Sequence, residues 1–183
     1  AALAGAPRAR SSQPYHPVTF RNACVRAGVL EELVALLKEP DATPKAQFHA
    51  LAALEAIATD DPSTELDNGH ALAACQAGSV PPVVRHLGSE DPRLQVAAAA
   101  CAAVLAENPQ CQTMLLKAGA VASLVTLGTY GSDAAKLKAV AALALPALNP
   151  PAAHTATGAA GGRRLLEGLA KHGGSGLREA TSE

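Results

Sequence analysis

Aromatic residues are nearly missing from this 183-residue chain: it has no tryptophan, two phenylalanines and two tyrosines, 2% in all. Hydrophobic residues still make up 49%, an ordinary globular share. A single large core needs aromatic and branched side chains to fill its centre, so the deficit argues against a conventional globule. Long apolar runs are missing as well. The longest, Val96 to Ala106, has eleven residues, about half of what a bilayer requires, so no membrane-inserted helix is expected and the chain is expected to be soluble. An excess of one charge is also lacking: fifteen basic residues face sixteen acidic ones, a net charge of −1. That removes the electrostatic footprint of a general nucleic-acid binder.

Cysteine is sparse, and it is not arranged for metal binding or cross-linking. Cys24, Cys75, Cys101 and Cys111 form no C-x-x-C pair, no asparagine lies in a glycosylation sequon, and no two histidines stand at i, i+4 spacing. The expectation is a reducing intracellular compartment, with the thiols serving as small buried apolar groups. The chain opens at Ala1 without Met or a signal-peptide pattern, which suggests a removed leader or a piece of a longer protein.

What the chain has in quantity is alanine, 43 residues of it. Alanine suits closely packed helices, where it loses little entropy and lets backbones approach. Self-comparison then exposes a repeat. An Ala-Gly step followed by a leucine-rich stretch occurs at Ala27-Gly28, Ala77-Gly78, Ala118-Gly119 and, degraded, at Ala160-Gly161, with offsets of 50, 41 and 42 residues. A period in the low forties is one unit of two or three helices that stacks into a solenoid. The longer first step is assigned to a polar insertion of roughly eight residues at Asp60 to Asp67.

Each unit reads alike. A short helix precedes the Ala-Gly step, as over Asn22 to Ala27 or Pro109 to Ala118. Gly28, Gly78 and Gly119 permit a sharp turn through positive φ. A second helix follows, with Pro81-Pro82 tolerated in its first turn. Breaker segments come next at Glu39-Pro40-Asp41, at Gly88 to Pro92 and at Gly128 to Asp133. A longer third helix closes the unit over 45–58, 92–106 and 134–148.

These residues resemble the armadillo repeat family. The best stretch runs from Asn108-Pro109 through Ala118-Gly119-Ala120-Val121, and is similar to the family's N-P-x-x-x-x-x-ψ-x-x-A-G-A-ψ opening, with ψ apolar. The Ser89-Glu90-Asp91 turn and the helix from Gln95 to Ala106 continue it. The resemblance covers residues 20–150, and 151–172 weakly; the two-helix HEAT repeat remains an alternative for the first unit. It implies an all-α, right-handed superhelical solenoid of about three repeats and a degenerate fourth over 21–172. Residues 1–20 are expected to form an extended arm or the remnant of a preceding repeat, and 173–183 a flexible Gly/Ser-rich tail. With so few repeats and no evident polar cap, the array should need neighbours.

No catalytic constellation is present. His172 to Gly176 lacks a G-x-S-x-G nucleophile elbow, and Gly158 to Gly162 lacks the spacing of a dinucleotide or phosphate loop. No metal site and no cofactor are expected. In peptide-carrying armadillo proteins the third helices line a concave groove, where Trp and Asn clamp an extended peptide. Here the Trp-equivalent positions read Ala52, Ala100 and Leu143, and the Asn-equivalent ones Ala56, Val104 and Ala147. One turn earlier come Phe48, Val96 and Ala139. The stripe is apolar throughout. It is expected either to receive an amphipathic partner helix or neighbouring repeat subunit, or to be inter-repeat core.

The resemblance thus implies a non-enzymatic scaffold that stabilises a larger intracellular assembly. The alternatives are a chaperone-regulatory adaptor of armadillo type, or a HEAT-like enzyme subunit relying on Cys24 or Cys111. Cytoplasm, cytoskeleton or cilium is the expected setting.

Overall fold

The computed structural model describes residues 17–59 and 69–144, and among them it contains nine α-helices and no strand. Unit one holds α1 (Pro17–Arg26), α2 (Val29–Lys38) and α3 (Pro44–Ala58). Unit two holds α4 (His70–Gln76), α5 (Val80–Leu87) and α6 (Pro92–Ala106). Unit three holds α7 (Pro109–Lys117), α8 (Ala120–Tyr130) and α9 (Asp133–Ala144).

Local chemistry explains these boundaries. Each third helix starts on a capping side chain that satisfies an otherwise orphaned N–H. Thr43 Oγ1 accepts from Ala46 N at 3.2 Å, Asp91 Oδ1 from Arg93 N at 2.9 Å and Ser132 Oγ from Ala135 N at 3.3 Å. Asn108 does the same for α7, accepting from Gln110 N at 2.9 Å. Proline follows the cap at Pro44, Pro92 and Pro109, where its missing donor costs nothing. Between first and second helices, Gly28, Gly78 and Gly119 take φ of 75°, 86° and 79°, and the chain reverses there through left-handed backbone.

Three features differ from the sequence expectation. Residues Pro17 to Phe20 belong to α1 and not to an arm, because a proline in the first turn is compatible with helix. Gly128 lies inside α8. The helix stops at Gly131, where a Cβ would sit 2.5 Å from the Leu127 carbonyl oxygen. The 50-residue first step is shared between two places, because the stretch from Gly28 to the Thr43 cap is two residues longer than the matching stretch from Gly78 to Asp91. The Asp60–Asp67 insertion, the degenerate fourth unit and the 173–183 tail lie outside the described residues.

The units stack in layers. The third helices form one layer with α6 between α3 and α9, while α2, α5 and α8 touch in turn, as do α1, α4 and α7. Helix α6 is therefore covered on most sides: Ala98, Ala99, Ala102, Leu105 and Ala106 have no exposed surface. That accounts for the longest apolar run. Among the described residues no single helix is long and apolar enough to cross a membrane; α7 and α8 reach that composition only jointly, across a 75° bend.

Side chains of one unit close onto backbone carbonyls of the unit before it. Cys101 Sγ donates to Leu51 O at 3.0 Å and Cys111 Sγ to Ala71 O at 3.3 Å, while an Arg85 guanidinium nitrogen donates to Leu37 O. His70 Nε2 meets Asn22 Oδ1 at 3.0 Å, joining α4 to α1. His86 is the weak point of the α2–α5 seam, since its Nε2 is buried without a hydrogen-bond partner.

Two expectations follow from this packing. At Gly119 a side chain would meet open space, so the cost of Gly119→Val is conformational, about 1–3 kcal/mol; Gly78→Val should cost a similar amount, and thermal melts of both against wild type check this. His86 is held below its ordinary 6.5, first by burial and then by the Arg85 charge. Its neutral form is favoured in the folded chain, so stability is full above pH 6.5 and falls as the pH drops from there towards the lowered value. Melts across that range should show the loss, and His86→Leu, the residue type at Leu36 and Leu127, should flatten it.

Candidate partner-binding groove

Counting from the three caps aligns the third helices residue for residue: Thr43, Asp91 and Ser132 are equivalent. Five residues past the cap lie Phe48, Val96 and Leu137; nine past it lie Ala52, Ala100 and Ala141. These positions, with Ala56 and Val104 one turn further on, share one helical face. Phe48, Ala52, Val96 and Val104 are half-buried, Ala56 and Ala141 are exposed, and Leu137 is 44% exposed. Ala100 forms the tight centre of the strip at 7%.

Third-unit residues of the expected stripe fall elsewhere. Ala139 has no exposure and is equivalent to the core residues Ala50 and Ala98. Leu143 is equivalent to Leu54 and Ala102 and packs against the core. The register of α9 is thus shifted by two residues, and the strip passes through Leu137 and Ala141. Alanines on every side of α9 leave its phase unmarked in the apolar pattern. The Ser132-Asp133 cap was the available signal. Ala147 lies outside the described residues.

The corrected strip has alanine in its middle rung in all three units, leaving a shallow floor between a larger apolar rung and a basic margin. Lys45, His49, Arg93 and Lys138 are all exposed and share the face with the strip. His49 stacks edge-on to Phe48, with ring centroids 5.4 Å apart and planes at 70°. Arg93 is paired with Asp91 at 2.9 Å, and this contact holds the Asp91 carboxyl below the usual carboxylate range. Lys45 and Lys138 add further positive charge to that margin.

The chemistry of the thiols bears on the enzyme alternative. Cys75, Cys101 and Cys111 are buried and Cys24 is half-buried, all four as free thiols. Burial pushes the Cys101 thiol up, and Cys111 as hydrogen-bond partner does the same to Cys75. Such groups stay protonated at neutral pH and are poor nucleophiles. Among the described residues, no three His, Cys, Asp or Glu side chains gather as a metal site.

Among the described residues, nine helices in three equivalent three-helix units, turning on left-handed glycines, define an α-solenoid of the repeat-protein class. The Arm model, armadillo/beta-catenin-like repeat, matches residues 67–106, which contain the whole second unit. Among solved structures, an engineered protein is 30% identical with a TM-score of 0.78, over 90% of this chain and 64% of its own. A designed armadillo repeat protein is 27% identical at 0.75, over 88% and 65%. Another, in complex with the peptide (KR)4, is 20% identical at 0.63, over 88% and 82%, a likeness of fold alone. The chain spans just under two thirds of the first two structures. No curated protein matches it. Residues 67–106 match an armadillo repeat, and the described fold is that of armadillo repeat solenoids.

The two-residue shift in α9 separates neighbouring alanines sharply. Ala139→Glu places a charge where nothing can solvate it and should cost about 3 kcal/mol or more. Ala141→Glu should change stability by less than about 1 kcal/mol. Denaturant melts of the two variants measure both.

Proposed function

We propose that the chain is a non-enzymatic scaffold that holds a partner protein of a larger assembly in the groove formed by α3, α6 and α9. The observation that carries this is the strip itself: Phe48, Val96 and Leu137 remain partly open although each neighbours fully buried core residues on the same helix. An apolar strip repeated at one position in successive units is a contact surface by its chemistry. Its shape suits an amphipathic helix, whose i, i+3, i+4 and i+7 anchors enter between the larger rung and the alanine floor. The basic margin favours an acidic flank on that helix. An extended basic peptide is the opposite case, because both the Asn clamps and an acidic lining are missing from these positions. A reducing intracellular setting is part of the proposal, supported by the four free thiols.

Anisotropy titration with a fluorescent amphipathic peptide, Leu at the anchor spacing and Glu on the flank, tests the proposal. Val104→Lys and Phe48→Glu should each weaken binding by about tenfold or more with melting temperatures close to wild type. Equal binding by wild type and both variants, or collapse of helix content in the variants, would remove the groove reading.

A further inference from the structure

We propose that Cys75 and Cys111 are the two halves of a reversible disulfide switch that joins α4 to α7 across the seam between units two and three. The placement of the two thiols carries this. Cys111 Sγ donates to Ala71 O at 3.3 Å, and Cys75 follows Ala71 by about one turn of α4. The Cys111 sulfur therefore lies against the turn that bears Cys75. Cys75 in turn hydrogen-bonds to Cys111, which completes a chain from one thiol through the other to the backbone. Both are free thiols of the same core cluster, on helices that touch. Counting from the left-handed glycines shows that the pair is particular to this seam. Cys75 stands three residues before Gly78, where units one and three have Val25 and Leu116; Cys111 stands eight before Gly119, where units one and two have Phe20 and His70. Between units one and two, His70 at the Cys111 position reaches Asn22 of α1 at 3.0 Å. Alanine fills close contacts elsewhere in the stack, so two facing sulfurs bring a chemistry that packing does not require.

The reaction is thiol–disulfide exchange with a low-molecular-weight disulfide such as oxidised glutathione. One cysteine gives up its proton and its sulfur attacks the small disulfide, whose S–S bond breaks to release one small thiol carrying that proton. The second cysteine loses its proton and attacks the protein sulfur of the mixed disulfide. That mixed bond breaks, and the second small thiol leaves with the second proton. The cysteine pair has lost two electrons and two protons, and the small disulfide has gained them. Both thiols are covered, at 1% and 0% exposure, and Cys75 is held protonated by its hydrogen bond, so the exchange is slow. It proceeds through local opening of α4, a helix of only seven residues.

The full chain should be held in excess oxidised glutathione, with and without sub-denaturing urea, then quenched by alkylation and mapped by peptide mass spectrometry. The expected product has lost two hydrogens, carries a peptide joining Cys75 to Cys111, and forms faster in urea. Because the link constrains positions 36 residues apart, the oxidised chain should melt about 5 °C or more above the reduced one. Excess reduced glutathione should restore the free thiols and the original melting temperature. Cys75→Ala and Cys111→Ala should each abolish the rise on oxidation, with circular dichroism confirming that the variants are folded. Wild-type chain that keeps both thiols through the oxidation would overturn the proposal, as would pairing through Cys24 or Cys101, or a mixed disulfide that never closes. A Cys75–Cys111 link that lowers the melting temperature, or that reduced glutathione fails to open, would overturn it too.

Discussion

Close contact between third helices is the constraint on which the rest of this structure depends. Helix α6 lies between α3 and α9, and its alanines let both neighbours approach across side chains of one carbon. Without aromatic residues the stack has little else to fill a wider gap, so larger residues at Ala98, Ala99 or Ala102 would push the layer apart. The near-absence of aromatics and the abundance of alanine are two sides of one packing solution. The cysteines take part in it as small residues. Cys101 and Cys111 fill space no larger than a valine would need and also satisfy a carbonyl of the unit before.

Stacking identical units makes one side chain position mean different things in different places. Phe48, Val96 and Leu137, at one position on the outer face of the third helices, stay partly open in every unit, and their rungs line up as a strip. A residue on the leading face is core in the second and third units and surface in the first. The candidate groove comes from this rule. The groove is open by design of the repeat, and it carries charge along its margin.

Where the residues themselves dictate local geometry, the sequence alone was enough. Asp91-Pro92 sets the start of α6, Asn108-Pro109 that of α7, and Gly28, Gly78 and Gly119 the turns, because caps, prolines and left-handed glycines act within a few residues. The repeat period and the family likeness follow from these signals recurring in phase. Only the tertiary structure decided the phase of α9, the half of the apolar residues that faces out, and the contrast between Leu36 and Leu127. Ala139 and Ala141 are chemically the same residue, two positions apart on one helix, and one is core while the other is surface. Burial at these positions is set by the unit stacked against them, and no property of the residue or its sequence neighbours records which unit that is.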